Sequence, residues 1–305
     1  MNLVRIKLVN FSLHTDKSKD GDVMLFDEIV ISGSTGILGK NLTKKLRENG
    51  NEVLGLTRNK DDISKNKMLY EDFYSQYNDK KFILINCAFP RTNNHTVLSE
   101  GIDFTRKLIS ESLTKGCIGV INISSQSVYD QKDISIPNEK SKVEPNSSYG
   151  LTKYSVEILV EEMLNHTDIA FTNIRLASLM HPNFPLRIPN KFLDNIFNDL
   201  PITVSNGRQQ ISYLDVRDAA EALSILVHSD IQKWQKTYNL GDNHHYSLRH
   251  IIDLIGLNLG RTIDYQVTDE SSIFSNAINS NLFMEQFNWR PKLDIEDLIQ
   301  EIINK

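Results

Sequence analysis

The sequence predicts an α/β fold: a doubly wound parallel (Rossmann-type) sheet with a smaller C-terminal substrate-binding part. Two observations predict this class. Short apolar segments rich in β-branched residues alternate with amphipathic segments of helical length, a pattern typical of parallel strands joined by right-handed helical crossovers. The first of these strands also leads into a glycine-rich turn, "VISGSTGILGK" (30–40).

The individual elements follow in chain order. The predicted strands are "EIVIS" (28–32), "EVLGLT" (52–57), "FILINCAF" (82–89), "GVINIS" (119–124), "IAFTNIRLA" (169–177) and "TYNLG" (237–241). The predicted helices are 37–49, ended by Gly50, 97–115, 147–166, which serines can cap, 247–260 and a closing helix within 287–305. They divide the chain into an N-terminal extension (1–27), a nucleotide-binding Rossmann domain (28–176, with later strands from about 204–241) and a substrate-binding part (177–203 and 242–305).

The composition excludes several classes of protein. A net charge of −5 gives no electrostatic reason to expect a nucleic-acid partner. No apolar run reaches the roughly 18 residues that would predict membrane insertion. Cys87 and Cys117 are too few for a disulfide scaffold or a zinc cluster. We therefore expect a cytoplasmic protein that binds no metal.

The glycine-rich turn predicts a cofactor site. Bare backbone between a strand and a helix allows close approach of a pyrophosphate, and the helix N-terminus adds free N–H groups and a partial positive charge. The expected cofactor contacts are Gly33, Thr35, Gly36, Ile37, Leu38 and Gly39. A purely structural turn is the alternative.

The end of the second strand bears on which dinucleotide binds. An acidic residue there would select NAD(H) through the ribose hydroxyl. This chain instead has Thr57 followed by Arg58, and an arginine can hold a 2′-phosphate in forked geometry. We therefore expect NADP(H) to be favoured over NAD(H). The alternative is that Arg58 belongs to the solvated loop that follows.

Four hydroxyl and amine groups could carry the chemistry. Tyr149 and Lys153 are four residues apart on a predicted helix and so share one face. An ammonium near a phenol favours the phenolate and makes proton transfer practicable. Ser124 and Ser125 follow a strand at the sheet edge where open α/β folds place their ligands.

With these motifs the chain resembles a known family. The segments "GSTGILG", "FILINCAF", "NISSQSVY" and "YGLTK" are similar to those of the extended short-chain dehydrogenase/reductases, the NAD(P)-dependent sugar-nucleotide epimerase/dehydratase group. The similarity runs from about residue 28 to the end, with "ISYLDVRDAAEAL" and "FNWRPKLDIEDLI" among the less specific later segments.

The resemblance implies roles for particular residues. Tyr149 would be the catalytic acid/base, Lys153 would hold the nicotinamide ribose and lower the pKa of Tyr149, and Ser125 would hydrogen-bond the reacting oxygen. Asp72 and Phe73 would lie by the adenine, and Ala88 would line the cofactor cleft. A homodimer formed through the helices at 97–115 and 147–166 is usual for the family, and we expect one here.

The chain departs from the family pattern on the substrate side. Gln126 and Ser127 replace an Asp-Glu pair that dehydratases use, which disfavours water elimination. Ile211 stands where an arginine often contacts the substrate diphosphate, with Arg208 nearby, and Ser178 replaces a common asparagine. The expected substrate contacts are Ser125, Gln126, Arg91, Ser178 and Arg208.

The resemblance and Arg58 together favour one function. It is an NADP(H)-dependent reductase of a keto-deoxysugar nucleotide, used in making surface-polysaccharide precursors. Three alternatives stay open: an NAD-dependent sugar-nucleotide epimerase, a reductase of a small ketone or lactone without a nucleotide, and a non-catalytic NADP(H)-binding sensor or scaffold.

Overall fold

The computed structural model describes residues 26–77, 80–185, 187–269, 271 and 274–305. Residues 1–25 of the predicted extension lie outside this range. The strands of the described chain are β1 Glu28–Ser32, β2 Val53–Thr57, β3 Lys67–Leu69, β4 Phe82–Asn86, β5 Cys117–Ser125, β6 Ala170–Leu176, β7 Ser178–Met180, β8 Thr203–Val204, β9 Gln210–Asp215, β10 Thr237–Leu240, β11 His245–Ser247 and β12 Gln266–Val267. The helices are α1 Ile37–Glu48, α2 Tyr70–Gln76, α3 His95–Leu113, α4 Ser148–Leu164, α5 Asn190–Phe197, α6 Val216–Val227, α7 Leu248–Leu259, α8 Asn281–Gln286 and α9 Ile295–Ile303.

The central sheet is parallel and has seven strands, in the order β10-β6-β5-β4-β1-β2-β3. The direction of chain progression reverses between β1 and β4, so a crevice opens at their carboxyl ends, which is where open α/β sheets bind ligands. The order confirms the α/β prediction, and β10 pairs with β6 as the last strand of the sheet.

Both faces of the sheet are covered. Residues of β1 alternate between two buried clusters: Ile29 and Ile31 belong to the one that includes α1 and α6, and Val30 belongs to the one that includes α2, α3 and α4. β1 is therefore buried on both sides, which explains the unbroken apolar run Ile29–Ile31 at its centre.

The C-terminal part has a core of its own. β7, β9 and β11 form a three-stranded sheet and β8 and β12 a two-stranded one. Side chains from α5, α7 and α9 complete a third buried cluster. β9 leads directly into α6, and α6 packs on α1 beside the main sheet. The C-terminal part is therefore joined to the main sheet through α6.

Local sequence signals set several helix boundaries. Ser147 caps α4 by accepting a hydrogen bond from the N–H of Gly150 over 3.0 Å, as the serines there predicted. α3 begins two residues earlier than predicted because the side chain of Asn94 caps its first turn. Across the described residues, no helix is both long and apolar enough to span a membrane.

Candidate functional site

The glycine turn is fixed by steric necessity. Gly33 has φ +68°, and a Cβ atom there would lie 2.9 Å from the amide nitrogen of Ala88. A Cβ atom on Gly39 would lie 2.2 Å from the carbonyl oxygen of Gly33. Gly36 is the N-cap of α1 and offers its first N–H groups no side-chain partner. The turn therefore presents bare backbone and a helix N-terminus to the crevice.

A cavity of about 220 Å³ joins this turn to the predicted catalytic helix. Gly33, Gly36, Ile37, Leu38 and Gly39 line one side, and Tyr149 and Lys153 line the other. Phe89, Ser125, Leu179 and Arg187 are among its remaining lining residues. Glycines at which a Cβ would collide and a buried cation across the cavity suit a dinucleotide, so the residues present fit the cofactor that the family implies.

Lys153 is almost completely buried, at 3% exposure. Its Nζ donates a hydrogen bond to the carbonyl oxygen of Ile123 and lies 4.3 Å from the centre of the Phe89 ring. Burial lowers the pKa of this ammonium to about 8, while the charge of Glu157 opposes the shift. Lys153 is thus held as a cation with little solvent around it.

Tyr149 differs from expectation in its electrostatics. Burial raises the pKa of its hydroxyl, and the charge of Arg91 and a hydrogen bond with Ser125 oppose that shift. The guanidinium of Arg91 lies 5.9 Å from the centre of the Tyr149 ring. The resemblance implied that Lys153 lowers this pKa; instead the pKa is raised, and the cation that opposes the rise is Arg91.

A larger cavity, of about 430 Å³, adjoins the first on the other side of Tyr149. Ser125, Gln126, Ser178 and Arg91 all line it, so four of the five predicted substrate contacts come together. Nε2 of Gln126 donates a hydrogen bond to Oγ of Ser178 over 3.0 Å. Apart from Arg91, the described polar lining residues are uncharged.

Arg208 lies apart from these four residues. It lines a neighbouring cavity of about 270 Å³ together with the apolar side chains of Ile134 and Phe274. Phe274 also lines the larger cavity and so connects the two. Ile211 is buried in β9 and forms a bridge with Asn276, so its position contributes no cation.

The end of β2 carries a small hydrogen-bonded group. Oγ1 of Thr57 donates to the Asp62 carboxylate over 3.2 Å and accepts from the N–H of Asn59 over 3.1 Å. Arg58 between them is exposed. Thr57 pairs with Leu69 of β3, so Arg58 and Tyr70 follow the ends of neighbouring strands.

Sequence reasoning missed Tyr70. Its hydroxyl accepts a hydrogen bond from the N–H of Gly33 over 3.1 Å, and its ring packs edge-on against Phe104 at 5.1 Å. The ring belongs to the core. The signal for its second role was its place directly after β3, at the ligand-binding edge of the sheet.

Asp72 and Phe73 are not placed at the glycine turn. Phe73 is fully buried in the core against Tyr77 and Phe82. Asp72 lies in the first turn of α2, where its carboxylate accepts a hydrogen bond from Gln76. The expectation that Asp72 and Phe73 lie by the adenine stays a prediction. Ala88 does meet the turn, through its backbone.

A buried ion pair connects α4, the helix of Tyr149 and Lys153, to strand β6. Glu157 accepts hydrogen bonds from Nε and Nη2 of Arg175, the latter over 2.8 Å, and from the hydroxyl of Ser124. Arg175 also donates to the hydroxyl of Tyr129 over 2.9 Å. Glu157 follows Lys153 by four residues on the same helix face, a spacing that could have revealed it. Among the described residues, no three His, Cys, Asp or Glu side chains are placed to hold a metal ion.

Comparisons with known proteins agree with this geometry. A family model, the NAD dependent epimerase/dehydratase family, matches residues 29–241. The chain belongs to this family. It is accordingly an enzyme of the extended short-chain dehydrogenase/reductase type, as the sequence resemblance indicated.

Individual relatives of this family member are distant but similar over nearly their whole length. Protein CapI of Staphylococcus aureus is 24% identical, over 91% of this chain and 97% of the relative. CDP-abequose synthase of Salmonella typhimurium is 21% identical, over 92% and 99%. The structure of UDP-N-acetylglucosamine 4-epimerase from Bacillus cereus superposes with a TM-score of 0.77 at 20% identity, over 90% of this chain and 97% of that one. MoeE5 in complex with UDP-glucose and NAD gives 0.78 at 17%, over 91% and 97%. The two structures share the fold of this chain.

Proposed function

We propose that this family member is an NADP(H)-dependent reductase of a keto-deoxysugar nucleotide. The observation that carries the proposal is the charge of the three adjoining cavities. Lys153, Arg91, Arg187 and Arg208 line them, and their described lining residues include no carboxylate. In a chain with net charge −5, such a concentration of cations favours two anionic ligands, a dinucleotide and a nucleotide sugar.

The cavities of about 220 Å³ and 430 Å³ meet at the groups that would act on the substrate. The bound cofactor would supply a hydride to the keto carbon. The Ser125 hydroxyl, which accepts from the N–H of Ser127 over 3.1 Å, would hydrogen-bond the carbonyl oxygen. Tyr149 would give its proton to that oxygen as negative charge develops there. Because burial raises the pKa of Tyr149, its hydroxyl is protonated at neutral pH, as a proton donor must be.

Other residues would bind and orient the ligands. The glycine turn and the N-terminus of α1 would hold the pyrophosphate, and Lys153 would hold the nicotinamide ribose. The guanidinium of Arg91 would stabilise the Tyr149 phenolate once the proton has left. Uncharged polar groups of the larger cavity would hydrogen-bond the hydroxyl groups of a sugar.

Preference for NADP(H) rests on Arg58. It is exposed at the end of β2, and β2 pairs with β3 so that Thr57 lies beside Leu69, directly before the Tyr70 that hydrogen-bonds Gly33 of the glycine turn. That position suits a 2′-phosphate on the adenosine ribose. The competing candidate is an NAD-dependent epimerase, which is favoured by the Asp62 carboxylate hydrogen-bonded to Thr57. Asp62 could accept a ribose hydroxyl, and the related MoeE5 structure contains NAD.

A fluorescence titration with NADPH and NADH separates the two candidates. The reductase proposal expects the wild type to bind NADPH more tightly, and Arg58→Ala to lose about tenfold or more in NADPH affinity while NADH binding is unchanged. Asp62→Ala serves as the matched variant and is expected to leave NADPH binding intact. Preference for NADH that Asp62→Ala abolishes, or NAD retained through purification, would overturn the reductase in favour of the epimerase.

The role of Tyr149 is tested by turnover. UDP- and CDP-linked 4-keto-6-deoxyhexoses are incubated with NADPH, and Tyr149→Phe is expected to lower kcat by about 10²–10⁴-fold without weakening cofactor binding. Tyr154→Phe on the same helix is the control and should turn over normally. Undiminished turnover by Tyr149→Phe would remove Tyr149 from the mechanism.

The expected homodimer belongs to the same proposal. Leu151 and Ile158 lie seven residues apart on α4 and are 57% and 46% exposed. A second copy would cover them, and Leu151→Lys should then yield monomers by light scattering; an unchanged mass would contradict this interface. A role in making surface-polysaccharide precursors rests on the resemblance. A cytoplasmic location rests on the free thiols of Cys87 and Cys117.

A further inference from the structure

An unpartnered polar atom lies beside the reacting centre. Gln126 directly follows Ser125 and lines the 430 Å³ cavity with Tyr149. The residue is only 5% exposed, and its Oε1 is buried without a hydrogen-bond partner. A buried carbonyl without a partner is costly to folding. Folding stability alone therefore gives no reason for a glutamine at this position.

Ser178 holds one end of the carboxamide. Nε2 of Gln126 donates to the Ser178 hydroxyl over 3.0 Å, and Ser178 stands on β7, across from the 3₁₀ turn Gln126–Val128. This contact joins two segments that are 52 residues apart and leaves the other end of the amide free to bind something else. The cavity beside it is where the substrate would lie.

We propose that the carboxamide oxygen of Gln126 binds a hydrogen-bond donor of the substrate, on a carbon that neighbours the reacting one. The inference rests on the proposed function, because Ser125 and Tyr149 place the reacting carbonyl and Gln126 is the next residue along the chain. The neutral amide neither gives nor takes a proton. Gln126 is thus a specificity-determining residue and not an acid or a base.

The proposal narrows the class of substrate. The donor is a hydroxyl or an amide N–H of the sugar, since the oxygen of an amide accepts and does not donate. A sugar that is deoxygenated at that carbon would leave the buried oxygen without a partner and would bind poorly. A substrate with a carboxylate there would be rejected by repulsion between two acceptors.

Thermal unfolding of the ligand-free protein tests the first half of the argument. Gln126→Met removes the unpartnered oxygen at nearly constant volume, and we expect its Tm to rise by about 2–3 °C. Gln131→Met is the matched control, since Gln131 lines the same cavity but its amide is paired with Asn276. The control should lower Tm. A fall for Gln126→Met as large as that of the control would overturn the proposal.

Ligand titration tests the second half. UDP-glucose and its 2-, 3- and 6-deoxy analogues are titrated into the wild type and Gln126→Met, each loaded with the nicotinamide cofactor that the titrations above identify. For a 4-keto sugar the neighbouring carbon that bears a hydroxyl is C3. We therefore expect the 3-deoxy analogue to bind the wild type about 5- to 10-fold more weakly than UDP-glucose does, and to bind Gln126→Met as tightly as UDP-glucose does; the 2- and 6-deoxy analogues should not distinguish the two proteins. Equal discrimination in both proteins would refute the contact.

One further variant and one possible outcome keep the tests distinct. Gln126→Glu retains acceptor oxygens at the same place, with Ser178 turning to donate, and should preserve the wild-type discrimination. If the wild type binds no UDP-glucose, the nucleotide-sugar function fails while the comparison of Tm values still decides whether Gln126 carries an unpartnered acceptor.

Discussion

The two sides of Tyr149 are built in different ways. On the cofactor side, backbone atoms define the shape, since Gly33 and Gly39 have no space for a side chain. On the substrate side, pairs of polar side chains define it, such as Gln126 with Ser178. A surface made of backbone tolerates few substitutions, whereas a surface made of side-chain pairs can change its specificity by exchanging them. The comparison gives a physical reason for the expectation from the sequence that the chain follows the family pattern at the glycine turn and departs from it at the substrate contacts.

The largest expected effect comes from removing the buried ion pair that lies beside both sides of the site. Glu157→Ala would leave the Arg175 guanidinium buried without its carboxylate. We expect a loss of about 3–5 kcal/mol in the free energy of unfolding, measured by urea denaturation. Glu161→Ala on the same helix removes an exposed pair with Lys236 and should cost about 1 kcal/mol or less. Similar losses of unfolding free energy in Glu157→Ala and Glu161→Ala would show that the buried ion pair stabilises the fold no more than the exposed one.

The next effect concerns the backbone-defined side. Gly39→Ala would force the turn to move, and we expect it to lower the free energy of unfolding by about 1–3 kcal/mol and to abolish measurable cofactor binding in a fluorescence titration. Gly50→Ala is the control: Gly50 has φ +83° but no atom within 4 Å of its added Cβ. It should lose stability through strain yet bind cofactor normally. Normal binding by Gly39→Ala would contradict the steric reading of the turn.

A smaller effect depends on pH and on Lys153. The pKa of its ammonium is lowered from 10.5 to about 8 in the folded protein. Between these values the unfolded chain binds one proton more than the folded chain, so the Lys153 contribution to stability rises with pH from about 8 to 10.5. The unfolding free energy of the wild type relative to Lys153→Met should therefore increase between pH 7.5 and 9.5.

Lys44 supplies the control for this pH dependence. Its side chain is 77% exposed, so Lys44→Met should shift stability by the same amount at every pH in that range. If the difference between wild type and Lys153→Met were equally flat, Lys153 would have an ordinary pKa in the folded protein.

The smallest expected effect is on the substrate side. Arg208 is exposed in its cavity, so Arg208→Ala should weaken UDP binding only a few-fold, and less at 500 mM than at 50 mM salt because the interaction is screened. Unfolding should be unchanged. A loss of 100-fold or more in UDP affinity would mean that Arg208 takes the place of the arginine that is absent at Ile211.

Some parts of the site could be predicted because their causes are local. A glycine at φ +68° and the four-residue spacing of Tyr149 and Lys153 depend on backbone sterics and helix geometry. The parallel sheet followed from the alternation of segments, which reflects burial on both faces. The adenine contacts Asp72 and Phe73 were expected from the resemblance alone and stay a prediction, although the Phe73 ring itself lies in the core.

By itself the sequence determined the sheet, the glycine turn and the helix that carries Tyr149 and Lys153, because short-range sterics and periodicity dictate them. The tertiary structure decided which distant groups meet. It joined Tyr70 to Gly33, Arg175 to Glu157 and Gln126 to Ser178. Hydrogen bonds between segments 18 to 52 residues apart leave no periodic trace in a single sequence, since their partners are set by how helices and strands pack. The substrate pocket is made of such contacts, and for that reason the fold was easier to predict than the specificity.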